Sequence, residues 1–157
     1  MSTVLNNLPN LRISSNLASY QPENVGPAMP PDQILWSRLS EINGFNCWLM
    51  GVRSINSDDP VDVSRGYSCG FEGNFGQGQL EVLIWDPKNR FDCLLSTPGL
   101  RIALSLTLMT ESGTSYVILS GEWELSGWRR ALFPWYRLRV NRDFNAMAKS
   151  LEQLIGP

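Results

Sequence analysis

A chain of 157 residues with 13 basic and 15 acidic side chains, 43% hydrophobic and 18% charged, has the composition of one globular domain, long enough to bury a core without disulfide or metal support. Histidine is absent, which excludes Ser-His and Cys-His nucleophile pairs, histidine-ligated zinc or haem, and imidazole acid-base chemistry. No apolar run reaches the roughly 18 residues of a membrane span, and Cys47, Cys69 and Cys93 read as reduced thiols of a cytosolic protein.

Residues 1–31 contain five prolines and five asparagines and read as an extended N-terminal arm ahead of a single β-rich domain over 32–157. Such an arm must find partners for its amides, and the surface of a neighbouring subunit is the expected supplier. Asp32 predicts the cap of a short helix over 32–43, with Leu35, Leu39 and Ile42 on one face and Asn43-Gly44 as its stop. From Phe45 to Ile55 both alternating faces are apolar, which predicts a central strand covered on both sides. Asp58, Asp59 and Asp62 match no established calcium loop and read as a solvated acidic turn. Gly73 to Gly78 reads as a turn between strands. No Lys-Ser or Lys-Thr follows it, and a strand comes next where a phosphate loop needs a helix.

Leu80–Trp85 and Arg90–Leu95 flank a proline turn at Asp86-Pro87-Lys88-Asn89. Leu100 to Leu108 alternate strictly, and a hairpin through Glu111–Thr114 leads to a strand over Tyr116–Leu125. Its Glu122 and Glu124 read as a polar face, not as an acid-base pair. Tyr136, Leu138 and Val140 alternate with Trp135, Arg137 and Arg139, predicting a last strand with a basic face after Pro134. Phe144, Met147, Ala148, Leu151, Leu154 and Ile155 then predict a C-terminal helix over 143–155. The expected fold is mainly β, an antiparallel jelly-roll sandwich or barrel with these two helices.

The functional signal lies between Trp128 and Arg142, where five of the 13 basic residues fall with no acid among them. Arg129, Arg130, Arg137, Arg139 and Arg142 offer phosphate forks and Trp135 a stacking surface, the two parts of single-stranded RNA binding. Such contacts would be local, since a formal charge of −2 provides no global basic field. The alternative is that the aromatics are core and the arginines pair with Glu122, Glu124 or a neighbouring subunit. No catalytic set, metal site or cofactor is legible, and no membrane partner is expected.

The arm, the helix ahead of a Trp-bearing strand (Ile34 to Arg53) and the strands ending in Arg-Ala-Leu-Phe-Pro-Trp-Tyr-Arg-Leu-Arg-Val (130–140) together resemble the layout of single jelly-roll coat proteins of small icosahedral RNA viruses, of the picorna-like plant virus type. The resemblance implies a non-enzymatic capsid subunit that self-assembles with copies of itself or sibling subunits into an RNA-enclosing virion in the host cytoplasm. The other reading is a cytosolic β-barrel binding module for single-stranded RNA or a protein partner.

Overall fold

Period-two alternation of large apolar groups builds most of the molecule. A computed structural model describes residues 6–8, 11–14, 49–56, 66–86, 89–111 and 114–155. Within them lie β1 (Asn6–Asn7), β2 (Leu11–Ser14), β3 (Val52–Asn56), β4 (Ser68–Gly73), β5 (Gly76–Asp86), β6 (Arg90–Thr97), β7 (Leu100–Glu111) and β8 (Thr114–Leu125). A 3-10 turn at Gly127–Leu132 then leads into one long helix, α1 (Phe133–Ile155). The strands form one antiparallel sheet in the order β1-β8-β7-β6-β5-β4-β3, with β2 also on β8.

The register explains why one face of this sheet is dry. Phe91, Cys93 and Leu95 of β6 lie opposite Leu106, Leu104 and Ile102 of β7. Leu106, Ile102 and Leu100 in turn oppose Leu119, Trp123 and Leu125 of β8, and all of these side chains are buried. The turn expected at Asp86–Asn89 is present and closed by the Asn89 amide donating to the Asp86 carbonyl at 3.0 Å. β4 and β5 meet at the expected glycine-bounded turn, where Gly73 pairs with Gly76.

The helix covers that face. Tyr136, Val140, Phe144, Met147 and Leu151 recur at helical spacing and join the buried cluster of strand side chains. Each fully buried large side chain is worth about 1.5–3 kcal/mol. Two ring pairs fix the start of the helix: Phe133 stacks on buried Trp123 of β8 at 5.4 Å, and Tyr136 stacks on Phe75 of the β4–β5 turn at 6.0 Å.

Three expectations are corrected here. Among the described residues one open sheet under one helix replaces the jelly-roll sandwich or closed barrel: the alternation shows that one face is buried, not what covers it. The strand expected after Pro134 is the first part of α1, which begins at Phe133 and not near residue 143. Tyr136 and Val140 are also four apart, so they begin the helical stripe that Phe144 continues, while Leu138 faces solvent. Pro134 is tolerated because the amides of a first turn have no helical acceptor. Of the strand expected over 45–55, residues 45–48 lie outside the described residues; the described strand runs from Val52, pairs with β4 and stands at the end, not the centre, of the described order. In the described part of the N-terminal segment, β1 and β2 pair with β8 and Leu8 is buried near Leu104. The helix expected over 32–43 and Asp58, Asp59 and Asp62 lie outside the described residues.

Leu151→Ala should cost about 2–5 kcal/mol in denaturant unfolding, against less than about 0.5 for exposed Lys149→Ala, because only the former empties a core site. Leu8→Ala should likewise lower stability by about 2 kcal/mol or more, whereas an arm that served only a neighbouring subunit would tolerate it without loss in the monomer.

Candidate ligand-binding site

The place where chemistry meets the core is the seam between α1 and the β4–β5 turn. Asp143 is a charged residue turned inward, 5% exposed. A buried carboxylate requires hydrogen-bond partners. It accepts from the Asn74 side-chain amide at 3.2 Å, and Arg142 Nε stands 3.6 Å from its other oxygen. Asn74 is itself held by its backbone amide, which donates to the Gly51 carbonyl at 2.8 Å. Gly51 adopts φ +66, and a Cβ there would stand 3.2 Å from the Asp143 carboxylate, so the close approach and the turn both favour glycine.

Behind this polar pair the wall is apolar. Met50, Phe71, Phe75, Leu95, Leu100 and Ile102 line a void of about 10 Å³, hardly enough for one water. In this conformation the seam is closed. Two latches close it, the Asn74–Asp143 hydrogen bond and the Phe75–Tyr136 stack, and both join the turn to the helix.

A second concavity lies on the sheet's other face. It is an open groove of about 660 Å³, lined by Asn7, Leu83, Arg90, Asp92, Ser105 and Glu122 among others. Its central carboxylate is already satisfied: Asp92 accepts two bonds from the Arg90 guanidinium, at 2.9 and 2.7 Å, and one from the Ser105 hydroxyl at 2.7 Å. Such a network suits a solvated sheet face better than a ligand that would have to displace it.

The arginines singled out by sequence lie on a different surface. Arg129 and Arg130 sit on the 3-10 turn, and Arg137, Arg139 and Arg142 on α1. Arg129 covers the Trp128 ring at 4.6 Å and Arg139 the Trp135 ring at 4.7 Å. Arg130 donates to the Leu125 carbonyl at 3.3 Å. Glu124 pairs with Arg101 across the strands at 3.6 Å, not with any of these five. Arg137 and Arg139 do not share a face, since two helical residues lie about 200° apart around the axis. Asn74 and Asp143 were missed because they are 69 positions apart. The available signal was an acid on an apolar stripe, visible once the helix is extended back to Tyr136.

No family model matches the chain, and no curated protein is similar to it. Solved structures do match over nearly their whole length. Truncated norcoclaurine synthase from Thalictrum flavum is similar with a TM-score of 0.63 at 12% identity, covering 99% of this chain and 96% of that one. A Bacillus halodurans protein matches at 0.59 and 16% identity, covering 96% and 99%. The Aha1 dimer from Colwellia psychrerythraea matches at 0.57 and 15% identity, covering 97% and 96%. At these identities the likeness establishes the fold, the helix-grip arrangement of Bet v1-like and Aha1-like proteins.

That finding overturns the coat-protein resemblance. The capsid subunit, the RNA-enclosing shell and the virion location go with it, because the structures that share this fold are cellular proteins. The resemblance rested on the order of arm, helix and strands, and that order is equally the order of a single sheet closed by a terminal helix.

The described thiols are chemically quiet. Burial pushes Cys93 far above the ordinary thiol range, helped by the neighbouring Asp92 charge, and burial also raises Cys69 against a weaker lowering hydrogen bond from Tyr67. Below about pH 9 folded and unfolded chains both keep the Cys93 proton; above it the unfolded chain ionises while the folded chain resists. Stability should therefore fall as the pH rises past 9, by up to about 1.4 kcal/mol per unit from this group. Unfolding titrations should show a shallower alkaline slope for Cys93→Ala than for wild type.

Proposed function

We propose that this chain is a binding module that takes a ring-bearing, largely apolar small molecule between the inner sheet face and α1. The observation that carries the reading is buried Asp143, held by exposed Asn74 of the β4–β5 turn beside a ring-bearing, largely apolar wall. Binding pockets combine such walls with a few placed polar groups. Entry requires the β4–β5 turn to part from α1. The hydrogen bond to Asp143, as one to a charged group, is worth about 1.5–3 kcal/mol. The ring pair adds about 0.5–1.5. Opening therefore costs a few kcal/mol, within reach of a minor state populated at about 0.1–10%.

A ligand N–H or O–H would replace Asn74 as donor to Asp143, and its ring would replace Phe75 or Tyr136 as the stacking partner of the other. The fold neighbourhood supports this choice of ligand. A norcoclaurine synthase structure that matches at a TM-score of 0.61 and 12% identity, covering 98% of this chain and 88% of that one, holds dopamine and hydroxybenzaldehyde. The proposal here is a binder and not a catalyst: no histidine is present and the described thiols are held neutral.

Titration calorimetry with dopamine and with neutral hydroxybenzaldehyde tests the reading. Wild type should bind both, and Asp143→Asn should weaken dopamine about tenfold or more and the neutral ring less, since the attraction of ammonium to carboxylate, over about 1.4 kcal/mol, is lost for dopamine alone. Absence of binding by both compounds at millimolar concentration, with the protein shown to be folded, would refute the proposal.

A further inference from the structure

Apart from Arg142, which pairs with Asp143, the Trp-Arg ridge has no part in the seam and calls for its own account. We propose that the outer surface of the 3-10 turn and the first half of α1 docks onto an anionic lipid bilayer. This goes beyond the ligand reading and does not depend on it.

Four large apolar side chains stand exposed there in one stretch: Trp128 at 68%, Leu132 at 43%, Trp135 at 46% and Leu138 at 73%. Trp135, Leu138 and Arg142 follow each other at i, i+3 and i+7, a stripe on the side of α1 opposite Tyr136, Val140 and Phe144. Scattered exposed apolar groups are ordinary, but a run of four on one convex element marks a contact surface.

The charges around them share one sign. From Leu125 to Leu151 the sequence has five arginines and Lys149 against the single acid Asp143, and that acid is turned into the core. Residues 126–142 alone carry five arginines and no acid, leaving 8 basic against 15 acidic residues elsewhere, a formal −7. The molecule is polarised, with its cations gathered at the ridge. They are also gathered where they do not help the fold, because the first turn of α1 has no acidic residue and the dipole is positive at that end. An external anion accounts for both features.

The chemistry separates the possible partners. A nucleic acid would use the indole faces for stacking, but the chain's own guanidiniums already cover one face of Trp128 and of Trp135, and Leu132 and Leu138 offer a base nothing. A bilayer uses every part. Leucine and tryptophan tips enter the boundary of the hydrocarbon, while arginine stems run along it and place their forks among the phosphates. No described helix is long and apolar enough to cross a membrane, so the contact is lateral.

The experiment is co-sedimentation of the full chain with phosphatidylcholine vesicles and with vesicles containing about one-third phosphatidylglycerol, at low and high salt. The expected result is at least tenfold preference for the anionic vesicles, suppressed by salt. Arg129→Gln/Arg139→Gln, which remove the guanidiniums over Trp128 and Trp135, should weaken that binding about 25-fold, at about fivefold for each arginine. Trp128→Ser/Leu138→Ser should weaken it tenfold or more while leaving the salt dependence in place. All four positions are at least partly exposed, so denaturant midpoints should stay near wild type and separate lost docking from lost folding. No anionic preference, or wild-type binding by Trp128→Ser/Leu138→Ser, would overturn the proposal. So would binding to an unstructured single-stranded RNA that survives the Trp128→Ser/Leu138→Ser change while vesicles are not bound, which would assign the ridge to nucleic acid.

Discussion

Eight strands in one layer leave an apolar face that must be kept from water, and among the described residues one helix, α1, lies across it. The sheet supplies every second residue of β6, β7 and β8, and the helix supplies Tyr136, Val140, Phe144, Met147 and Leu151. Neighbouring strands of the sheet also pack closely, and in places they leave no room for a Cβ. At Gly121 a Cβ would stand 2.7 Å from the Ala103 carbonyl and 3.1 Å from both Leu104 and Leu8. At Gly78 it would meet the Phe71 ring at 2.9 Å. A core packed this closely transmits any displacement of α1 to its neighbours. This is why the closed seam, with its void of about 10 Å³, must open by parting two elements and cannot fill from within.

The hairpins were legible because a strand covered on one face writes its burial into sequence with a period of two, and the turns between β4, β5, β6, β7 and β8 announce themselves by glycine or proline. Closure was not legible. A sheet paired with another sheet and a sheet paired with a helix bury the same alternate residues, so Leu100 to Leu108 could not distinguish a jelly roll from a helix grip. The stretch from Trp135 to Val140 shows the same ambiguity at smaller scale. Six residues fit both periods, and the decision came from Phe144, Met147 and Leu151 further along, which only a helix started at Phe133 brings into line. The N-terminal strands escaped for another reason. Their partner, β8, lies over 100 positions away, and pairing at that distance leaves no local trace.

The site divides in the same way. The arginine cluster was visible as a cluster, since its members are close in sequence, but its geometry was misjudged together with its secondary structure. The Asn74–Asp143 pair was invisible for the opposite reason, being ordinary residues made unusual only by the burial of Asp143 and by their meeting across 69 positions. What burial adds is electrostatic. A solvated carboxylate beside an arginine contributes little, whereas a buried one such as Asp143 makes each remaining hydrogen bond matter and penalises any ligand that cannot replace it.

The two faces of α1 are thus committed to different media, and they are joined through the backbone of one short segment. Tyr136 faces the seam and Trp135 beside it faces outward; Asp143 faces the seam and Arg142 beside it faces outward. A helix cannot rotate one of these pairs without the other. Any force that a surface exerts on Trp135 and Arg142 therefore acts through the backbone on Tyr136 and Asp143, the helix-side members of both latches. The Arg142–Asp143 ion pair sharpens the link. Its guanidinium is 62% exposed and its carboxylate 6%, so an anion that draws Arg142 outward leaves Asp143 with Asn74 as its remaining hydrogen-bond partner among the described residues. On this geometry the ridge and the rim of the seam share one helix and one ion pair.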